Sequence, residues 1–177
     1  MLLKDYLPNI NKKFKNLNFS GLAFNSKEVK KNYIFIAIKG DRFDGNNYIN
    51  DAIKNGAKII ISSKFKDQIK NNIIYLNQKN PRQILSNLSS QIFKKKPQNL
   101  IAVTGTNGKT SIANFYYQIL KKNKKKVASF GTLGISGKKK IEKTSNTTFD
   151  PINIANNLNY LEKKQKKRFL LSIFLGT

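Results

Sequence analysis

The feature that most constrains the fold is the run from Ala102 to Ser111, which reads Ala-Val-Thr-Gly-Thr-Asn-Gly-Lys-Thr-Ser. It overlaps the apolar run Leu100 to Val103 and is followed by a helical pattern. In that pattern the apolar residues fall at helical spacing on one stripe, at Ile112, Phe115, Tyr116, Ile119 and Leu120. A buried strand, a glycine loop and an amphipathic helix in this order predict an α/β domain with a mainly parallel sheet.

The same loop carries the residue types that a polyphosphate site needs. Gly105 and Gly108 allow backbone N–H groups to turn inward, and the N-terminus of the following helix adds a partial positive charge. Lys109 can then reach the β- and γ-phosphates of ATP, while the Thr110 hydroxyl can ligate Mg²⁺, so we predict these two as the catalytic residues and Thr110 as the metal ligand. The predicted ATP-binding residues are Gly105, Thr106, Asn107, Gly108, Lys109, Thr110 and Ser111.

The loop is a shortened form of the Walker A pattern. The full pattern has a glycine at the position of Val103, so only Gly-x-x-Gly-Lys-Thr is present. The alternative is a strand-to-helix turn that contains glycines but binds nothing. The flanking strand, the helix and the Lys-Thr pair together favour the phosphate site.

The rest of the chain alternates short apolar runs with helical patterns, which extends the α/β prediction to the whole sequence. Strands are predicted at Leu22 to Phe24, Tyr33 to Lys39, Lys58 to Ser62, Ile73 to Asn77, Leu100 to Thr104, Val127 to Phe130 and Phe169 to Leu175. Helices are predicted at Asn47 to Asn55, Arg82 to Lys94, Lys109 to Lys122 and Ile152 to Lys163, the last capped by Asp150 with Pro151 at its first position. Pro97 is the best linker candidate, so we predict domains at residues 1–97 and 98–177.

The charge of the chain raises the question of a nucleic-acid partner. The net charge is +25, and basic surfaces gain affinity for phosphate backbones by releasing counterions. However, 31 of the basic residues are lysines and only 3 are arginines, although arginine is the better bidentate donor to phosphates and bases. Because lysine, asparagine and isoleucine are abundant and all have A/T-rich codons, we interpret the charge as codon drift and expect no specific nucleic-acid partner. A basic nucleic-acid-binding module is kept as an alternative.

Composition also limits the class of protein. The chain has no cysteine, which excludes disulfides and thiolate metal sites. No apolar run approaches the roughly 18 residues of a membrane helix. At the N-terminus, Lys4 and Asp5 interrupt any signal-peptide core. We therefore expect a cytoplasmic protein that does not insert into membranes, and we expect it to be a monomer.

The motifs resemble those of the Mur ligases, the ATP-dependent amide-forming enzymes of peptidoglycan precursor synthesis. The run Val103 to Thr110 is similar to their ATP loop. Upstream, Asn25-Ser26-Lys27, the run Tyr33 to Gly40 and Asp44-Gly45 resemble the family's small N-terminal uridine-nucleotide-binding domain. The resemblance therefore implies that a uridine-nucleotide domain is followed by the start of an ATPase domain.

Two downstream motifs point to one branch of that family. Gly131-Thr132-Leu133-Gly134 and Asn146-Thr147-Thr148 resemble signatures of the ligases that add the third amino acid to UDP-N-acetylmuramoyl-L-alanyl-D-glutamate. The sequence departs from the family pattern at Asn25, Lys27 and Phe149, where Asp, Arg and Pro are usual.

The resemblance implies a set of substrate-binding residues. The first five of them would contact the uridine nucleotide, and the last three would hold the peptidyl part of the muramyl substrate. These residues are Phe24, Ser26, Asp41, Arg42, Phe43, Asn146, Thr147 and Thr148. Arg42 suits a diphosphate because its guanidinium offers a planar fork of donors. Each of these motifs has an alternative interpretation when it is read alone. Asp44-Gly45 then predicts only a turn, Ser26 a helix cap or a loop hydroxyl, and Asn146 to Thr148 a turn before the next helix.

The implied reaction transfers the γ-phosphoryl group of ATP to the glutamyl carboxylate. The amine of diaminopimelate or lysine then attacks the acyl phosphate to form an amide. Since the family continues well beyond this length, we expect a truncated chain, by fragmentation or frameshift, that is inactive alone. With covering helices absent, we expect Phe115, Ile119 and Leu158 to stay partly in water. The alternative enzymes are the ligase for the later D-alanyl-D-alanine addition and the folylpolyglutamate synthetases.

Overall fold

The chain folds as two compact units, Met1–Ile92 and Phe93–Thr177. The computed structural model describes residues 1–41, 43–131, 134–136, 150–165 and 169–173. The division between the units lies a few residues before Pro97, which is itself buried. Both units are α/β with mostly parallel sheets, which confirms the predicted fold class.

The N-terminal unit is built on a sheet with strand order β1-β2-β3-β5-β4. Neighbouring strands are parallel except β4, which is antiparallel to β5. The strands are β1 (Gly21–Ala23), β2 (Tyr33–Ile36), β3 (Ala57–Ser62), β4 (Gln68–Lys70) and β5 (Ile73–Asn77), and the helices are α1 (Ile49–Lys54) and α2 (Pro81–Ile92). Short 3-10 turns lie at Leu3–Asp5, Lys12–Phe14, Ser26–Glu28 and Gly45–Tyr48.

The two central strands of this sheet are buried on both faces. Phe35 of β2 and Ile60 of β3 pack in one cluster with Ala52 of α1. Ile34 and Ile61, which alternate with them along the strands, are equally buried and face the other side, where α2 contacts β2. A parallel sheet covered on both faces requires continuous apolar strands, which explains why these segments lack polar alternation.

The C-terminal unit has the strand order β6-β9-β7-β8. Strand β9 is parallel to both β6 and β7, and β8 forms an antiparallel edge on β7. The strands are β6 (Asn99–Val103), β7 (Val127–Gly131), β8 (Gly134–Ser136) and β9 (Phe169–Ile173), and the helices are α3 (Lys109–Lys122) and α4 (Pro151–Gln165). The sequence did not predict β4 or β8.

Helix α4 covers one face of the C-terminal sheet. It begins at Pro151, and the Asp150 side chain accepts a hydrogen bond from the Asn153 N–H at 2.9 Å, which confirms the predicted cap. Leu158 and Leu161 pack against Phe130 and are buried. The expectation that Leu158 stays in water is therefore wrong, because α4 lies on the sheet even in this short chain.

Helix α3 covers the other face of that sheet, but of the five residues in the stripe that the sequence predicted, Leu120 alone packs there. Ala113, Tyr117 and Leu120 pack in one cluster with Val127. Four other apolar side chains are exposed, namely Ile112, Phe115, Tyr116 and Ile119. We call these four residues the outer α3 face. The expectation that Phe115 and Ile119 stay in water is confirmed, since they are 64% and 57% exposed.

Candidate functional site

The glycine loop joins the carboxyl end of β6 to the first turn of α3. Gly105 and Gly108 have φ angles of +143° and +76°, in the left-handed range that side chains disfavour. Helix α3 starts immediately after Gly108, whose carbonyl accepts a hydrogen bond from the Ile112 N–H at 3.0 Å. The N–H groups of the first turn have no partner within the helix and point out of its N-terminus, toward the loop.

Lys109 lies across this loop. Its ammonium donates to the carbonyl oxygens of Gly105 and Thr106, the latter at 3.1 Å. Lys109 and Thr110 are half-buried, whereas Thr106, Asn107 and Ser111 are exposed. The first turn of α3 contains no acidic residue that would repel an anion.

These features fit a polyphosphate. The loop combines left-handed glycines, a cation and a helix N-terminus, and a side chain at Gly108 would meet nothing within 4 Å. In the part of the chain that the structure describes, no cluster of three or more His, Cys, Asp or Glu residues is placed to hold a metal ion. The Thr110 hydroxyl, which is half-buried in the first turn of α3, is an oxygen ligand of the type that Mg²⁺ takes.

The predicted uridine-site residues that the structure describes, Phe24, Ser26, Asp41 and Phe43, follow strands β1 and β2 of the N-terminal unit. Phe24 directly follows β1 and is half-buried. Ser26 is buried in the next turn, where its carbonyl oxygen accepts a hydrogen bond from Asn55 at 2.9 Å and the Asn25 side chain caps the turn. Because β1 and β2 are parallel neighbours, both strands end at the same edge of the sheet.

A tight hairpin follows β2 at that edge. Lys39 and Asp44 form an antiparallel bridge, and the Gly40 N–H donates to the Phe43 carbonyl at 2.9 Å. We call residues 39–41, 43 and 44 the substrate hairpin. Asp41 and Phe43 are exposed at its tip, Phe43 by 71%. The fold thus brings Phe24, Ser26, Asp41 and Phe43 to one edge of one sheet.

Four of the predicted substrate residues lie outside the described residues. They are Arg42, Asn146, Thr147 and Thr148. Their roles stay predictions that rest on the resemblance.

Sequence reasoning missed a polar network beside the hairpin. The Asp44 carboxylate accepts hydrogen bonds from the Asn46 backbone at 2.9 Å and the Asn46 side chain at 2.6 Å, and it pairs with Lys64 at 2.9 Å. Ser62, fully buried at the end of β3, donates to the Asn46 side chain at 2.6 Å. The Asn46 N–H, followed by the Lys64 ammonium, lowers the pKa of Asp44 to about 2. The available signal was the Asp44-Gly45 dipeptide, which the sequence alone presents only as a turn.

Two family models match the chain along nearly its whole length. The model of the Mur ligase family catalytic domain matches residues 18–102, and that of the Mur ligase middle domain matches residues 103–171. Among the described residues, no helix has both the length and the apolar character needed to span a bilayer.

Two curated relatives with the same enzyme name are similar to this chain. A protein of Rickettsia prowazekii named UDP-N-acetylmuramoyl-L-alanyl-D-glutamate--2,6-diaminopimelate ligase is 40% identical over 157 residues, which are 85% of this chain and 32% of the relative. A protein of the same name from Wigglesworthia glossinidia brevipalpis is 34% identical over 97% of this chain and 36% of its own length. The chain therefore spans about a third of these relatives.

Two solved ligase structures align with most of this chain. A structure of a UDP-N-acetylmuramoyl-L-alanyl-D-glutamate--2,6-diaminopimelate ligase aligns over 97% of this chain and 35% of its own, with a TM-score of 0.75 and 25% identity. MurF ligase from Thermotoga maritima in complex with ADP aligns over 87% of this chain and 31% of its own, with a TM-score of 0.55 and 28% identity.

Proposed function

Because the chain belongs to the Mur ligase family, we propose that it is the N-terminal portion of a cytoplasmic, ATP-dependent ligase of peptidoglycan precursor synthesis. The ligase adds diaminopimelate to UDP-N-acetylmuramoyl-L-alanyl-D-glutamate. One observation carries this proposal: similarity to relatives of that name runs through both units and includes the glycine loop.

The C-terminal unit supplies the ATP site in this proposal. Lys109 leaves the loop carbonyls and pairs with the β- and γ-phosphates, while the loop and first-turn N–H groups hold their oxygens. The Thr110 hydroxyl would hold Mg²⁺, and a bound metal would supply positive charge that neutralises the transferred phosphoryl group. The chain's residues thus act by positioning and charge neutralisation rather than by covalent chemistry.

The N-terminal unit supplies the uridine-nucleotide site. Phe43 exposes its ring at the hairpin tip, where it can stack on a base, and Ser26 lies in the turn after Phe24. Arg42 pairs with the diphosphate, and Asn146, Thr147 and Thr148 hold the peptidyl part of the substrate. These assignments are supported by the family resemblance and, for the four described residues, by their common edge of the sheet.

The amino acid added is proposed to be diaminopimelate rather than lysine. The residues alone left these two open. The names of the relatives from Rickettsia prowazekii and Wigglesworthia glossinidia brevipalpis both specify 2,6-diaminopimelate, which supports that choice.

A calorimetric titration of the 177-residue chain with UDP-N-acetylmuramoyl-L-alanyl-D-glutamate tests the uridine site. We expect binding, and we expect Phe43→Ala to weaken it about tenfold, because stacking of an aromatic side chain on a base contributes roughly 1 to 3 kcal/mol. Ile69→Ala is the matched control. Ile69 is also exposed, but it lies on β4, which is the edge strand farthest from β1 in the strand order. No heat at millimolar ligand, or equal losses in both variants, would contradict the assignment.

A further inference from the structure

The Asp44 carboxylate connects the substrate hairpin to Asn46 and to Lys64 of the same unit. Asp44 ends the hairpin and caps the 3-10 turn Gly45–Tyr48 through the Asn46 N–H at 2.9 Å. Its second oxygen pairs with Lys64, which follows β3. We propose that Asp44 is a positioning residue of the uridine-nucleotide site, which holds the tip of the hairpin in place without touching the nucleotide. This role rests on the proposed function.

The Asp44 carboxylate accepts three hydrogen bonds, two from Asn46 and one from Lys64. Its first oxygen also accepts from the Asn46 side chain, whose own oxygen receives the Ser62 hydroxyl at 2.6 Å. Ser62 in turn accepts from the Lys64 N–H at 3.1 Å, so the network closes on itself. Since Ser62 is fully buried at the end of β3, the hairpin is tied to a rigid strand and not to another loop.

The backbone beside Asp44 is also fixed. The Gly45 N–H donates to the carbonyl of Ile38, two residues after the end of β2, at 2.9 Å. A side chain at position 45 would come within 2.7 Å of the Ile38 backbone nitrogen, so the close approach requires glycine. The Asp44-Gly45 pair therefore has two distinct roles. Gly45 permits the close contact with Ile38, and the Asp44 carboxylate stabilises the hairpin through Asn46 and Lys64.

Charge explains why Asp44 positions the site rather than binding the ligand. Both carboxylate oxygens are already engaged by Asn46 and Lys64. A carboxylate that faced a diphosphate would repel it, whereas an Asp44–Lys64 pair is close to neutral. A hairpin held in its bound geometry lowers the ordering cost of binding.

Amide hydrogen exchange, measured by NMR on the full chain without ligand, tests directly whether Asp44 stabilises the hairpin. In Asp44→Asn we expect the Gly40 and Gly45 amides to exchange about three to ten times faster than in the wild type, as for a local opening held by a partly exposed ion pair. Asp51→Asn removes an exposed carboxylate on α1 and should leave these rates unchanged. Unchanged exchange rates in Asp44→Asn would contradict the claim that Asp44 stabilises the hairpin.

Binding of UDP-N-acetylmuramoyl-L-alanyl-D-glutamate to the same variants then tests the positioning role. We expect about tenfold weaker binding for Asp44→Asn and for Lys64→Met, near wild-type binding for Lys64→Arg, and no change for the control Lys70→Met on β4. Faster exchange with unaltered affinity would overturn the positioning role. Absence of binding by the wild type would instead overturn the proposed function. The exchange rates would still decide whether Asp44 stabilises the hairpin.

Discussion

Replacing Lys109 with methionine is expected to weaken binding of Mg²⁺-ATP by the 177-residue chain about ten- to a hundredfold. The Lys109 ammonium lies over the loop, with the Gly105 and Thr106 carbonyls as its partners. On binding, it would exchange these neutral acceptors for phosphate oxygens. A hydrogen bond to a charged group contributes roughly 1.5 to 3 kcal/mol, and methionine keeps the length of the side chain while it removes the charge.

Titration of a fluorescent ADP or ATP analogue measures this effect. Lys122→Met is the matched control, because Lys122 is an exposed lysine in the last turn of the same helix. It removes the same overall charge from the chain, so its affinity should fall less than twofold if general electrostatics are minor. Equal losses in the two variants would show that net charge, and not the loop, holds the nucleotide.

The second large effect concerns turnover: we expect no detectable ligase activity from these 177 residues alone. The outer α3 face leaves four large apolar side chains exposed, and Leu100 on β6 is 51% exposed. Full burial of such a side chain contributes roughly 1.5 to 3 kcal/mol. Because these side chains are about half exposed, each forgoes on the order of 1 kcal/mol, against a typical net stability of about 5 to 15 kcal/mol. We therefore expect the C-terminal unit to be weakly stable, prone to self-association and poor at holding Lys109 and bound ATP in the register that turnover requires.

Phosphate release with ATP, Mg²⁺, UDP-N-acetylmuramoyl-L-alanyl-D-glutamate and diaminopimelate tests this expectation. The double variant Phe115→Lys, Ile119→Lys is a useful companion, because it makes two exposed positions of the outer α3 face polar and leaves the packed residues Ala113, Tyr117 and Leu120 intact. It should self-associate less than the wild type and be equally inactive. Turnover comparable to that of ordinary ligases, on the order of 1 to 100 per second, would contradict the account.

The elements with strong local signals were predictable from the sequence. The predicted and observed bounds of α3 coincide at Lys109–Lys122, because a glycine loop marks its start and a lysine-rich segment its end. The cap at Asp150 was equally readable, since Asp followed by Pro is a strong helix-start signal. Strand β4 was not predictable, because its three residues are all exposed and its pairing with β5 is what defines it.

Periodicity identified the buried face of α3 only in part, since Leu120 packs on the sheet but the other four residues of the predicted stripe are exposed. Two neighbouring stripes of this helix are apolar, and a sequence pattern cannot tell which of them the sheet covers. The stripe with the larger side chains is exposed, while the stripe that contains the small Ala113 packs on the sheet. The small residue allows the helix to approach the strands closely, which is a property of the tertiary structure and not of the local pattern.

The candidate sites divide in the same way. The phosphate loop was readable because its residues are contiguous in sequence. The Asp44 network was not, because Lys64 and Ser62 come from the end of a strand that meets Asp44 only in the folded unit. Family resemblance supplied the substrate residues, and the fold adds that Phe24, Ser26, Asp41 and Phe43 share one edge of the sheet.

The central claim is that this chain carries two separate ligand sites, one for a uridine nucleotide in the first unit and one for ATP in the second. The most direct test is an NMR titration of the isotope-labelled 177-residue chain with each ligand in turn. We predict that UDP-N-acetylmuramoyl-L-alanyl-D-glutamate shifts the amide signals of Phe24, Ser26 and Phe43, whereas Mg²⁺-ATP shifts those from Gly105 to Ser111. Shifts spread over the lysine-rich segments with both ligands, and equally with a single-stranded oligonucleotide, would contradict the claim and favour a nonspecific basic surface.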